Sequence, residues 1–324
     1  MSHAVKWGII STADINRKVI PGAHASSEVD LIAVASRDQG RADTYAKQWE
    51  IERAYGSYEA LLADDDVEAV YISLPNTMHC EWSIKALEAG KHVLCEKPMS
   101  RHLDEVKAAF DVADHTGLWL SEAFMYRHNP QTKKLQELIA EGTIGEVRLV
   151  RSVFSYSLYD QDNIRLRTDL EGGSLMDVGC YNVSGSRLVG GEPERVYGES
   201  WVGPSGTDWV FAGTLRFPEN VIATFHCGTA LPEHDELEVI GSEGSLFLDD
   251  PWHCVSAVIE VRRADGVERI RIEREDSYRL ELENLSTAIR GEATVLLGRD
   301  DAEGQARTLE ALHASATSGQ AVEL

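Results

Sequence analysis

The chain is most easily read from what it has little of. No apolar run in its 324 residues approaches the roughly 18 that a membrane span requires. The first residues, Met1-Ser2-His3-Ala4-Val5-Lys6, pass straight into a strand-like run and show neither the apolar stretch nor the cleavage site of a secretory signal. Cysteine is scarce: Cys80, Cys95, Cys180, Cys227 and Cys254 are scattered, odd in number and without a CxxC pair. That excludes a disulfide scaffold and a spaced structural zinc site, and makes the reducing cytoplasm the expected compartment. Positive charge is short as well, with 31 Lys and Arg against 54 Asp and Glu and a net charge of -23. Nucleic acid, which needs a basic face, is therefore not an expected partner. Internal repeats and low-complexity linkers are missing too. What is there is an ordinary globular composition, 43% hydrophobic and 26% charged, in a chain long enough for about two domains.

Residues 1–124 alternate apolar strand-like runs with helical patterns. Val5 to Ile10, Asp30 to Ser36, Ala69 to Leu74, His92 to Glu96 and Leu118 to Glu122 read as strands. Helices are expected over 14–26, Arg41 to Trp49, Thr77 to Glu88 and Leu103 to His115. Such βαβ units predict a doubly wound parallel sheet, a Rossmann-type α/β domain, whose ligands sit at the carboxyl ends of the strands. Ser11, Arg37, Pro75-Asn76 and Glu96-Lys97 all fall there.

Residues 125–324 change character. After a helix near Gln131 to Ala140 come long strand-like runs: Val147 to Ser157, Glu194 to Val202, Trp209 to Phe217, Val221 to Thr229, Glu236 to Ile240, Ser245 to Leu248, Ala257 to Arg263 and Glu268 to Ile272. Hairpin signals such as Pro218-Glu219-Asn220 and Ala264-Asp265-Gly266 join several of them. A helix opened by Gly173-Ser174 interrupts the strands, and helices near Tyr278 to Ile289 and Asp301 to Thr317 close the chain. The expectation is an α+β domain with a large, mostly antiparallel, open sheet. Strands such as Val221-Ile222-Ala223-Thr224-Phe225 imply an apolar face needing cover, hence a homodimer, or a tetramer of dimers, through this sheet.

The turn after the first strand, Ser11-Thr12-Ala13-Asp14-Ile15-Asn16, holds none of the glycines of a Gly-x-Gly-x-x-Gly fingerprint. It is either a plain strand–helix turn or a tight turn of small residues that brings a pyrophosphate to a helix N-terminus. At the next strand end an NAD site would place an acid for the ribose hydroxyls; here the chain has Ser36-Arg37. An arginine there pairs with a 2′-phosphate, which favours NADP over NAD, with a solvated surface arginine as the bland alternative.

Two motifs carry the chemistry. Glu96-Lys97-Pro98 places a lysine at a strand end, and Gly172-Gly173-Ser174-Leu175-Met176-Asp177-Val178-Gly179-Cys180-Tyr181 places an aspartate and a tyrosine four residues apart, on one face of a helix. Moving a hydride from an alcohol to a nicotinamide also requires a proton acceptor. A tyrosine with its usual pKa near 10 is a poor base at neutral pH, and a nearby lysine cation favours its phenolate. Tyr181 is therefore the candidate acid/base, Lys97 its electrostatic partner, and Asp177 the group that orients Lys97 or a substrate hydroxyl. Asn163 and Arg165, on the loop before Gly172, are candidates to face the substrate, and Tyr156, Tyr159, Asp160 and Asp162 lie near the expected mouth.

The order of a Rossmann half, Pro75-Asn76-x-x-His79, Glu96-Lys97-Pro98 and the Gly-Gly-x-x-x-Asp-x-Gly-x-Tyr run resembles the Gfo/Idh/MocA oxidoreductases over essentially the whole chain. Many members end the last motif in His. Tyr181 and the glycine-free turn are similar to the branch of NADP-dependent D-xylose dehydrogenase and dimeric dihydrodiol dehydrogenase. The resemblance implies a cis Lys97–Pro98 bond, Glu96 approaching the nicotinamide ribose, and Asn76 and His79 along the nicotinamide. It implies cofactor contacts from Ser11, Thr12, Ala13, Ile15, Ser36, Arg37, Leu74 and Lys97. Arg127, at the domain junction, is either a further contact or a structural ion pair.

Metal is not expected. His226-Cys227 and His253-Cys254 read as strand neighbours pointing to opposite faces, and His234-Asp235 as a turn. The expected activity is NADP-dependent oxidation of a sugar hydroxyl, in an aldose such as D-xylose or D-glucose, or reduction of a keto-sugar in reverse. The alternatives are a trans-1,2-dihydrodiol dehydrogenase and a non-catalytic dinucleotide-sensing regulator.

Overall fold

The computed structural model describes residues 3–324. The chain groups into two compact units: everything up to His128 together with Asp276–Glu303, and Asn129–Glu275 together with Gly304–Leu324.

The first unit runs β1 (Val5–Ile10), α1 (Asn16–Ala25), β2 (Val29–Ala35), α2 (Gln39–Gln48), β3 (Arg53–Tyr55), α3 (Tyr58–Leu62), β4 (Ala69–Ile72), α4 (His79–Glu88), β5 (His92–Glu96), α5 (Leu103–Thr116) and β6 (Leu120–Ala123). Its sheet has the order β3-β2-β1-β4-β5-β6, with every pairing parallel. The order reverses between β1 and β4, and a doubly wound sheet opens its ligand crevice at that point. Continuous apolar strands are what a sheet covered on both faces requires. Val5, Ile9, Ile10, Val34, Val70 and Ile72 are buried accordingly. Sequence periodicity missed β3 and α3, because three half-buried residues and a single helical turn are too short to show a period.

The second unit begins with α6 (Pro130–Ala140) and β7 (Val147–Ser157). It continues through a π-turn at Leu175–Gly179 into α7 (Cys180–Gly190). Then come β8 (Arg195–Val202), β9 (Asp208–Arg216), β10 (Ile222–Gly228), β11 (Ala230–Gly241), β12 (Ser245–Leu248), β13 (Val258–Arg263) and β14 (Gly266–Arg271). The chain next enters α8 (Ser277–Ile289), which packs in the first unit. Trp7 of β1 donates its indole N–H to Ser286 of α8 at 3.1 Å, and Gly22 of α1 leaves no room for a side chain against the α8 backbone at Arg279. Finally α9 (Arg299–Ser318) and β15 (Val322–Glu323) close the chain, α9 belonging to the second unit from Gly304 on. The second sheet is ordered β14-β13-β12-β11-β7-β10-β9-β8-β15 and is antiparallel except where β10 runs parallel to β7.

One face of this second sheet is packed by α7 and the π-turn. Along β10 the residues Ala223, Phe225 and Cys227 are buried, while Ile222, Thr224 and His226 face the other way. That outer face mixes half-buried apolar side chains, among them Leu149, Ile222 and Ile240, with charged ones. It carries cross-strand ion pairs, Arg151 with Glu238 at 2.8 Å and Arg262 with Glu238 at 3.4 Å. His253 and Cys254 do not lie on a strand. Pro251 and the Asp250 carboxylate, which accepts the amides of Val255 and Ser256 at 2.6 and 2.8 Å, fold them into a turn, with Cys254 at φ 57°.

Candidate active site

In the first unit, β1 ends at Ser11, which takes a φ of 117°. Glycine usually fills such a position, because a Cβ crowds the backbone there. Ser11 compensates with its own side chain. Its hydroxyl lies 2.9 Å from the Ser73 carbonyl and accepts the Ala13 amide at 3.1 Å, and its carbonyl accepts Asn16 Nδ2 at 3.0 Å. A tight turn without glycine results. It leads through Thr12, Ala13 and Ile15 into α1, which begins with no capping side chain and no acidic residue in its first turn. An N-terminus of that kind suits a phosphate group. At the end of β2, Ser36 is buried and Arg37 exposed. The neighbouring acid, Asp38, is already engaged as the N-cap of α2, accepting the Arg41 amide at 2.7 Å. The strand end thus presents the exposed Arg37 cation beside an acid that caps α2 through Oδ1.

The Glu96-Lys97-Pro98 turn is held from several sides. Lys97–Pro98 is cis. Tyr71 of β4 donates its hydroxyl to Glu96 Oε1, and the Lys97 amide donates to Glu96 Oε2 at 3.2 Å. Met99 donates its amide to the buried Glu122 at 2.9 Å. His79 is fully buried, with Nδ1 2.8 Å from the Pro98 carbonyl and Nε2 2.7 Å from the Leu74 carbonyl. Burial pushes its pKa down, against the pull of the two carbonyls. The neutral ring, with one N–H to donate, lies between these two carbonyls and ties the turn to the backbone of Leu74. Asn76 opens the single turn before α4. Beneath Glu96 lies Glu281 of α8, wholly buried, with neither carboxyl oxygen hydrogen-bonded among the described residues. Burial first, and the Glu96 charge second, raise it well above the usual carboxylate range. Arg127 is nearly buried and pairs with Asp301 at 3.1 Å.

In the second unit, backbone dictates the Gly172-Gly173 pair. A Cβ on Gly172 would sit 2.4 Å from the Arg165 carbonyl, and one on Gly173, which has φ 124°, 2.0 Å from Asp208 Oδ1. The π-turn that follows presents Asp177. Its Oδ2 accepts the Tyr156 hydroxyl at 2.6 Å and its Oδ1 accepts Arg165 Nε at 2.9 Å. Burial, then the Asp177 charge, raises the Tyr156 phenol far above its ordinary value, so Tyr156 stays a donor. Asn163 in turn caps the short turn holding Arg165, accepting its amide at 3.1 Å. Tyr181, 7% exposed, meets Phe154 edge-on at 5.4 Å between ring centroids and lies 5.9 Å from the Trp252 ring. Asp177, Tyr181, Arg165 and Asn163, singled out in the sequence, thus lie in one neighbourhood of this unit. Tyr156, Phe154 and Trp252 complete it. The first two share a face of β7 at a spacing of two, a signal present in the sequence; Trp252 arrives from a distant turn with no local sign. Tyr159 stands 87% exposed.

Asp235, Asp250 and His253, which sequence spacing did not connect, are gathered so that their ligand atoms lie within 4.8 Å of one another. His253 Nδ1 is 2.9 Å from Asp235 Oδ2, and burial raises the Asp235 carboxyl to about 6.

A doubly wound parallel sheet with a phosphate-suited first turn, joined in one chain to a unit bearing a tyrosine and an aspartate on a buried helix, defines the class of two-domain dinucleotide-dependent oxidoreductases. Residues 5–124 match the oxidoreductase family, NAD-binding Rossmann fold, and residues 132–247 match the GFO/IDH/MocA C-terminal domain. The chain is 41% identical to a D-xylose 1-dehydrogenase (NADP(+)) of Haloferax volcanii, covering 98% of this chain and 99% of the relative. It is 32% identical to a mouse trans-1,2-dihydrobenzene-1,2-diol dehydrogenase, over 81% of this chain and 80% of the relative. Its fold superposes with a TM-score of 0.91 on a 3-ketoreductase from Actinomadura kijaniata in complex with NADP and TDP-benzene, at 30% identity over 96% of this chain and 98% of the other. The chain belongs to the Gfo/Idh/MocA family of oxidoreductases. Among the described residues no helix is long and apolar enough to cross a membrane.

Proposed function

We propose that the protein is an NADP-dependent dehydrogenase of sugar hydroxyls, oxidising an aldose such as D-xylose or D-glucose, or reducing a keto-sugar in reverse, in the cytoplasm. The observation that carries this reading is the polar constellation on the π-turn. Asp177, held between Tyr156 and Arg165 beside Tyr181, offers the several hydrogen-bonding groups a polyhydroxy substrate needs. The aromatic neighbourhood of Tyr181 favours a second reading, a trans-dihydrodiol dehydrogenase. Trp252, however, is completely buried and gives a ligand no surface, which leaves the sugar reading the stronger.

The first unit holds the dinucleotide, with the Ser11–Ile15 turn at its pyrophosphate and Arg37 at its 2′-phosphate. Bound NADP supplies the hydride acceptor. Tyr181 takes the proton of the reacting hydroxyl, or returns it in the reductive direction. The Lys97 cation favours the phenolate form of Tyr181. Asp177, fixed by its two donors, orients a substrate hydroxyl. The chemistry requires no metal. Two protomers associate through the outer faces of their second sheets, where Arg151 and Glu238 supply charges of both signs for a twofold contact. Light scattering at twice the 35.8 kDa of one chain, or a multiple of that, checks the association, and a monomer refutes it.

The decisive test follows NADPH formation across aldoses, polyols and trans-dihydrodiols, with NAD in parallel. Turnover of pentoses or hexoses with NADP is expected, and turnover only with NAD would sink the role given to Arg37. In Tyr181→Phe, kcat should fall about 10²–10⁴-fold with cofactor affinity kept. Survival of activity would move the acid/base role elsewhere.

A further inference from the structure

Asp208, the first residue of β9, is 8% exposed, and no basic side chain pairs with it among the described residues. Its Oδ2 accepts the Ser174 hydroxyl at 2.7 Å and the Leu175 amide at 2.8 Å, the two groups that open the π-turn. The Ser174 hydroxyl is met in turn by the Cys227 thiol of β10 at 3.7 Å. Oδ1 lies over Gly173, where only a glycine leaves it room. A buried, unpaired carboxylate is a costly way to cap a helical turn, and a neutral Ser or Asn serves for stability alone. What the charge adds is strength: hydrogen bonds to an ionised acceptor are roughly twice as strong as neutral ones.

We propose that Asp208 is a positioning residue for the reaction, its carboxylate being the anchor that fixes the π-turn carrying Asp177 and, six residues beyond Leu175, Tyr181. The inference rests on the roles given above to those two residues. The titratable groups around Asp208 are the Cys227 thiol on β10 and, beyond it, Cys180 and Asp177 on the helical segment; β8 lays Val202 alongside. Burial raises the Asp208 carboxyl to about 6. The native state therefore keeps a proton from about pH 4, where the unfolded chain loses it, up to about 6. The stability contribution of this group falls as pH rises through that window and stays low above it. The anchor works in the opposite sense, tightening as the carboxylate ionises. Stability and function are thus set against each other at one side chain.

The test is Asp208→Asn, a neutral isostere, beside wild type and Tyr181→Phe. In Asp208→Asn, amide exchange over residues 174–181, corrected for intrinsic rates, should quicken about tenfold at pH 8. In wild type the same segment should quicken on passing from pH 8 to pH 5. Tyr181→Phe should leave it unchanged. Turnover should fall about tenfold in kcat with little change in KM, the acid limb near pH 6 should vanish, and the melting temperature at pH 8 should rise. Unchanged exchange, or a wild-type kcat with its acid limb intact, overturns the proposal. Loss of the anchor signature is read without turnover, so a failure of the Tyr181 assignment shows separately, as an active Tyr181→Phe. Should Asp208→Asn not fold, the wild-type exchange at the two pH values still decides.

Discussion

Ser11 shows how one side chain does the work of an absent glycine. Its positive φ costs about 1–3 kcal/mol, and the bonds its hydroxyl makes return about 0.5–1.5 kcal/mol each. Ser11→Ala keeps the strain and loses the bonds, so it should destabilise the fold by about 1–3 kcal/mol. Ser11→Gly loses the bonds but relieves the strain, and should stay within about 1 kcal/mol of wild type. Urea midpoints of the two variants give the comparison; a glycine variant as unstable as the alanine one would remove the strain argument. The candidates the sequence offered were those in contiguous motifs, such as Lys97, Asp177 and Tyr181, because a motif records local backbone demands directly. Tyr156 and Asp208 were not legible as partners of the π-turn. They reach it through space, 21 and 34 residues away along the chain. His79 shows the converse: its position near the turn was readable, but the two carbonyls that flank its ring become visible only in three dimensions.

Among the elements, the π-turn, like β3 and α3, was not announced by the sequence. The four-residue spacing of Asp177 and Tyr181 reads as plain α-helix, yet Leu175–Gly179 is wound more widely before α7 begins. Single π-turns inside helices are frequently found at functional sites. This one is packed tightly against β10. Gly179 has φ -62°, which suits any residue, but a Cβ there would stand 2.7 Å from Cys227 Sγ and 3.0 Å from Leu175 Cδ1. Gly179→Ala should therefore cost about 1–3 kcal/mol by overpacking alone. Adding Cys227→Ala removes the sulfur and should recover part of the loss, so the pair is less destabilising than the sum of the single variants. A double-mutant cycle in denaturant measures this, and strict additivity would show that the contact is not what the glycine avoids. Strand bounds were legible where an apolar or alternating run met a turn signal: β1, β5, β7 and β12 fall as read. β11 extends well before the expected Glu236, because its first half, Ala230-Leu231-Pro232-Glu233-His234-Asp235, carries a proline and no period of two.

At the scale of the molecule, local pairing and long-range charge separate. Acidic clusters are neutralised where they touch bases: Arg53 meets Asp64 and Asp66, each at 2.8 Å, and Arg299 meets Asp111 and Asp114 at 2.7 and 2.6 Å. Such pairs were not readable in the sequence, since separate segments of the chain supply them, 11 residues apart for Arg53 and Asp64 and 188 for Arg299 and Asp111. The assignment of Asp276–Glu303 to the first unit was not readable either, because an amphipathic helix shows that it covers a core without showing which. The excess of acid was readable, and it cannot be paired away: 54 acidic against 31 basic side chains leave 23 negative charges whatever the fold. Those charges repel across the surface over a screening length of about 10 Å at 0.1 M salt and about 3 Å at 1 M. Exposed ion pairs weaken on the same change, but each contributes only about 0–1 kcal/mol, whereas the uncompensated repulsion sums over the whole surface. Repulsion therefore outweighs the pairs, and raising NaCl from 0.1 to 1 M should raise the melting temperature by several degrees. The rise should be steepest below about 0.3 M, where the screening length changes most. Thermal unfolding across that range, with a matched sucrose series to separate screening from solute exclusion, measures the balance. A melting temperature that stays flat or falls with salt would mean that the paired surface charges outweigh the excess, and that the acidity of this chain places no electrostatic load on its fold.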